Sequence, residues 1–216
     1  MTQIPGKHVS EVGGRRVKPL PPAALIPGLA LAIALDLAAI CGYPTAGVLG
    51  IVVPVLYGLI PLAVLACWRF PLRSLGLVRH RAILDTGWGL VWGGLWRIGS
   101  MGMNYLYNAG GLLLSINLPD SMAVLLLPAL EEFFFRGYLG RGLNAWLGRW
   151  RGIALQALLF TLLPAHWNQG MPHIAAIFLF GLLAGWLVDR RRSLWPAVGA
   201  HVFANLLTRL LVAVAG

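Results

Sequence analysis

The sequence predicts an all-α fold: a polytopic membrane bundle of about seven transmembrane helices, with room for an eighth. Three observations predict it. Of the 216 residues, 58% are hydrophobic and 11% are charged, where soluble domains carry roughly 25% charged residues. Apolar stretches of about 20 residues, enough to cross a bilayer as a helix, recur along the chain. Finally, fourteen of the seventeen Lys and Arg residues fall in four clusters. These are Lys7, Arg15, Arg16 and Lys18; Arg69, Arg73, Arg79 and Arg81; Arg141, Arg149 and Arg151; and Arg190, Arg191 and Arg192.

The intervening loops hold no Lys or Arg, so the net charge of +10 follows the alternation of basic cytoplasmic loops in membrane proteins. It is not the continuous basic surface of a nucleic-acid binder. The expected surroundings are a lipid bilayer, with the basic loops meeting anionic lipid, and no nucleic-acid partner is expected. The alternation places the N-terminus in the cytoplasm and the C-terminus outside. A compact chain without a large appended domain points to a prokaryotic inner or plasma membrane. Residues 1–22 form a basic tail with no cleavable signal peptide, and 23–216 form one integral-membrane domain.

The elements follow in order. The first span covers about Ala23 to Cys41, the second Val48 to Trp68, and the third Ala82 to Met103. The fourth, about Ser121 to Leu139, contains the dipeptide Glu131-Glu132. The fifth runs from about Gly152 to Trp167, the sixth from His173 to Val188, and the seventh from Leu194 to Val214. Each must be helical, because lipid cannot satisfy an open backbone. Pro128 and Pro164 each remove a backbone donor and are expected to break their helices. Gly102 to Asp120, rich in Asn and Tyr, is the longest external stretch and suits a re-entrant or interfacial piece. Cys41 and Cys67 sit near opposite ends of the first two spans, out of disulfide reach. No CxxC or Cys/His zinc pattern occurs.

Polar residues inside these spans carry the chemistry. Burying two carboxylates is costly unless they are paired, protonated or solvated. Glu132 and Arg136 are spaced i, i+4, within ion-pair reach on one helix face. Glu131 is turned about 100° away, free to face a separate cavity. The natural division makes Glu132 and Arg136 supporting structure and Glu131 the reactive group, a general base for water. His201 and Asn205, also i, i+4, can point donors at one developing oxyanion, although polar side chains also bridge helices in membranes. His166, just after Pro164, can orient water or share a proton with Glu131. His173 competes for that role, while His8 and His80 lie in basic segments. At about 1.5 Å rise per residue, Glu131 lies roughly 15 Å from Arg141 and His201 roughly 14 Å from Arg192, so both fall near mid-membrane. Asp36, Asp85, Arg97 and Arg209 are expected to pair structurally. Trp88, Trp92 and Trp96 form a packing stripe.

Together these residues resemble the CPBP family of CAAX-type proteases and bacteriocin-processing membrane enzymes. The resemblance covers about 121–210. It rests on Glu131-Glu132-x-x-x-Arg136, on Gly181-Leu182-Leu183-Ala184-Gly185-Trp186, on Ser193-Leu194-Trp195-Pro196-Ala197 and on His201-x-x-x-Asn205. The family's middle motif is FxxxH. Here the chain reads Phe160-Thr161-Leu162-Leu163-Pro164-Ala165-His166, two residues longer. Read as Leu162-x-x-x-His166, the spacing fits and the phenylalanine is lost. The resemblance implies a glutamate-dependent intramembrane endopeptidase. In it Glu131, assisted by His166, activates water; His201 and Asn205 hold the oxyanion; Glu132 and Arg136 support the site. Its substrate would be a membrane-anchored protein or peptide cut near one terminus. No cofactor is required on this reading, but Glu131, His166 and His201 are the donors a zinc ion would take. Two other functions remain open: a non-enzymatic immunity or scaffold protein that keeps the motif, and a small proton-coupled transporter.

Overall fold

The computed structural model describes residues 10–12, 15–41, 48–107, 121–164, 166 and 170–215. The external stretch after Tyr107 lies outside them, as does the rest of the basic tail. Apart from one hairpin, every regular element among the described residues is helical. The hairpin pairs β1 (Ser10–Val12) with β2 (Arg15–Val17), antiparallel, with Glu11 opposite Arg16. It is the one departure from the expected all-α class.

A short 3-10 turn, Pro22–Leu25, leads into α1 (Ile26–Ile40), followed by α2 (Val48–Trp68) and α3 (Ala82–Tyr107). α4 (Ser121–Glu132) passes into a wide π-helical segment, Phe133–Gly140, and then α5 (Arg141–Leu147). α6 (Arg149–Thr161), α7 (Met171–Arg191) and α8 (Trp195–Ala215) complete the chain. Among the described residues, one helix, Met171–Arg191, is long and apolar enough by itself to cross a membrane. Pro22–Ala38 and Val52–Trp68 are shorter apolar helices. Large apolar side chains face outward along α1, α2 and α3, among them Leu37, Leu59, Leu84, Leu95 and Ile98, while charged Asp85, Glu132 and Arg136 are sealed inside. That is the reverse of a soluble surface and suits lipid.

Pro128 departs from expectation, while Pro164 does end its helix. α4 continues through Pro128, and the change of helical pitch comes later, at Phe133. Membrane-type helices tolerate proline when local π adjustments and neighbouring helices satisfy the freed groups. α6 stops at Thr161, before Pro164. Pro164 cannot donate to the Phe160 carbonyl and its ring would clash with it, so the chain leaves the helix after Thr161. Beyond that point the His166 N–H donates to the Leu163 carbonyl at 3.0 Å.

The π segment runs through the centre: Phe134 to Gly140 are all buried, and the Tyr138 hydroxyl donates to the Ala24 carbonyl. The Tyr57 ring of α2 meets that of Phe134 tilted at 4.9 Å and that of Phe135 edge-on at 5.6 Å. α8 packs along α3, and also meets α4 and α7. The α3–α8 approach depends on absent side chains. A Cβ at Gly89 would run into the Pro196 carbonyl, and one at Gly93 into that of Ala200. This is the small-residue packing by which membrane helices come close. The start of α8 is pinned as well. The Leu194 N–H donates to the Gly76 carbonyl at 2.8 Å, and the Trp195 indole N–H to that of Val78 at 3.1 Å.

The tryptophan stripe does pack between helices. Trp92 meets Trp186 at 6.0 Å and Trp96 meets Phe180 at 4.9 Å. The scattered ions do not pair with one another. Asp85, fully buried, takes Arg191 of α7 at 2.7 and 2.9 Å and Arg81 at 3.5 Å. Asp36 Oδ1 and Arg97 Nε are buried without a hydrogen-bond partner among the described residues.

Candidate active site

The end of α4 carries the two glutamates, and its packing on α8 brings His201 to them. Arg136, one turn after Glu132, places Nη1 3.0 Å from Glu132 Oε1. His201 Nδ1 lies 2.8 Å from the same oxygen. Its other nitrogen, Nε2, is 3.8 Å from Glu131 Oε2. One imidazole therefore spans both carboxylates. Glu131 does not face separate surroundings, as its angular offset suggested. Adjacent helix positions diverge at Cβ, but two flexible glutamates converge on the two sides of one ring. The sealed carboxylate is Glu132, with a side chain 0% exposed; that of Glu131 is 14% exposed, so Glu131 is the one solvent or substrate can reach.

A carboxylate oxygen accepts, so this contact suits the Nδ1–H of His201 as donor to Glu132. Glu132 and Arg136 compensate one another inside the protein, where an unpaired charge would be costly.

Aromatic rings enclose the group. The Arg136 guanidinium lies 4.0 Å from the Phe160 ring centre and 5.6 Å from that of Phe180. His201 meets Phe180 at 5.0 Å and Phe160 at 5.9 Å. These contacts stand in for hydrogen bonds, since Arg136 Nε and Nη2 have no such partner among the described residues. Sequence reasoning missed Phe180; its one signal was adjacency to the Gly181–Trp186 motif. The Gln156 side-chain amide holds α6 against α7 by donating to the Gly181 carbonyl at 2.9 Å.

His166 reaches the same place by another route. Its ring contacts Phe160 at 4.9 Å, and Phe160 in turn contacts His201. The two residues beyond the FxxxH spacing are absorbed by the turn after Thr161, so phenylalanine and histidine meet despite the longer interval. His166 Nδ1 is buried without a hydrogen-bond partner among the described residues. His173 lies 6.4 Å from His166, ring to ring. Asn205 sits one turn beyond His201 on α8, half-buried. Among the described residues no three His, Cys, Asp or Glu side chains gather closely enough to hold a metal ion.

The Rce1-like family model matches residues 118–207. Its description is type II CAAX prenyl endopeptidase Rce1-like. The matched segment holds α4 to α8 almost entirely, with both glutamates, Arg136, His166, His201 and Asn205. It is consistent with the CPBP and CAAX protease resemblance drawn from the motifs. No curated protein and no solved structure matches the chain significantly. Over residues 118–207 the chain is similar to the Rce1-like family.

Proposed function

We propose that the chain is an intramembrane endopeptidase that hydrolyses a peptide bond near the terminus of a membrane-anchored protein or peptide. The observation that carries this reading is the single imidazole between two carboxylates, one sealed and one accessible. The catalytic core would be 121–210, within one integral domain of about seven spans over 23–216, with the 1–22 tail in the cytoplasm.

The reaction begins with Glu131 ionised and His201 protonated. Glu131 takes a proton from water as the water oxygen attacks the scissile carbonyl carbon. The carbonyl oxygen becomes an oxyanion, and the Nε2–H of His201 and the Asn205 amide donate to it. The side-chain cluster gains one positive charge while the substrate gains one negative charge, so the buried site remains balanced. The intermediate collapses, the C–N bond breaks, and the proton held by Glu131 passes to the leaving amine. His166 orients the water through its unpartnered nitrogen. Glu132, itself held by Arg136, fixes the orientation of the His201 ring through Nδ1. Every step runs on side chains alone.

The test compares the termini of membrane proteins in cells expressing wild-type protein or Glu131→Gln. Wild-type cells should contain cleaved termini that the variant lacks, while the variant folds and reaches the membrane in equal amount. Unchanged cleavage by Glu131→Gln would refute the mechanism.

A further inference from the structure

Cations from three of the four clusters, Lys18, Arg141 with Arg149, and Arg192, meet around one space. A cavity of about 270 Å³ opens there, bounded by the N-terminal segment, the α2–α3 connection, α5 and the end of α7. Its walls carry Lys18, Arg141, Arg149 and Arg192 against a single carboxylate, Asp189. Arg149 already holds that carboxylate, Nε to Oδ2 2.7 Å. Lys18, Arg141 and Arg192 form no ion pair among the described residues, so the cavity has three uncompensated cations.

Two further observations indicate a ligand. The Ser74 hydroxyl lines this cavity, buried and without a hydrogen-bond partner among the described residues. Buried polar groups rarely remain unsatisfied. Arg192 also holds a left-handed backbone, φ 55°, where glycine would be unstrained. A guanidinium thus stands where the backbone alone favours no side chain.

We propose that this cavity binds a phosphate group, as presented by an anionic phospholipid headgroup or by free phosphate. Arginine forks and a lysine point charge suit phosphate oxygens, and the Ser74 hydroxyl supplies a neutral donor. Lys18 also borders an adjoining cavity of about 470 Å³ that combines Arg69 and Arg73 with the rings of Trp68 and Phe70. Cations beside aromatic rings suit an amphiphile at a membrane interface. The site is independent of the protease reading.

The test uses the full chain in phosphatidylcholine nanodiscs containing increasing phosphatidylglycerol, with bound lipid counted by native mass spectrometry. Thermal melting in detergent with inorganic phosphate forms a second arm. Wild type should retain phosphatidylglycerol. Arg192→Gly, which suits the backbone, and Lys18→Gln should each bind about tenfold more weakly, the loss expected for one charge-assisted contact. Arg79→Gln, which removes an exposed cation outside the cavity, should bind as wild type. Stabilisation by inorganic phosphate that Arg192→Gly loses would identify free phosphate as a source; retention of phosphatidylglycerol alone would identify lipid. Equal weakening by Arg79→Gln, or a wild type that binds neither species, would overturn the proposal.

Discussion

Replacing Glu132 with glutamine should unfold the protein at a markedly lower temperature, although its neighbour Glu131 tolerates the same change. Both Glu132 and Arg136 have side chains 0% exposed, with charged atoms 3.0 Å apart. At an effective dielectric of about 20, that separation corresponds to about 5.5 kcal/mol of attraction. Glutamine preserves size and an acceptor oxygen but removes the charge. Arg136 then remains buried, its two other nitrogens already without a hydrogen-bond partner among the described residues. The contact with Phe160 exists before and after the change and compensates nothing. Breaking one side of a buried pair costs about 3–5 kcal/mol, or about 6–20 °C in melting temperature for a chain of this size. Intrinsic fluorescence of the nine tryptophans during heating in detergent reads this directly. Glu131→Gln should melt within a few degrees of wild type, because its partially exposed carboxylate anchors no arginine. The double change Glu132→Gln with Arg136→Met should recover most of the loss, since it removes the stranded charge. A Glu132→Gln variant as stable as wild type would refute the reasoning.

Three other outcomes are expected. Gly93→Val should push α8 away from α3, costing about 1–3 kcal/mol or more by overpacking, and should reduce turnover by displacing His201; unchanged activity would contradict the close approach. His201→Ala and Asn205→Ala should lower kcat far more than they raise KM, because their contacts form in the transition state; a selective rise in KM would count against the oxyanion role. Exhaustive dialysis against a chelator should leave turnover unchanged, and activity lost and then restored by zinc would overturn the metal-independent mechanism.

Much of the arrangement was legible in the residues. Helix boundaries followed apolar runs and cation clusters closely, and the Glu132–Arg136 pair followed from spacing alone. Three features were not legible, for physical reasons. Convergence of both carboxylates on His201 depends on side-chain torsions and on how α4 meets α8, and neither leaves a periodic signal. The Phe160–His166 contact depends on where the helix ends; the clash at Pro164 acts on the carbonyl four residues earlier, so the helix stops before the proline itself. The partner of Asp85 was misjudged because Arg191, read as part of a basic loop, folds back from the end of α7. Sequence distance hid a contact between α3 and α7.

The glycines of α3 have a consequence for protein engineering. α3 lies wholly upstream of 118–207, yet its bare backbone is the bed on which α8 rests. A transplant of 118–207 into a foreign scaffold would transfer every reactive group and leave behind the surface that sets their alignment. A working chimera would need Gly89 and Gly93, or an equally smooth helix, supplied by the host.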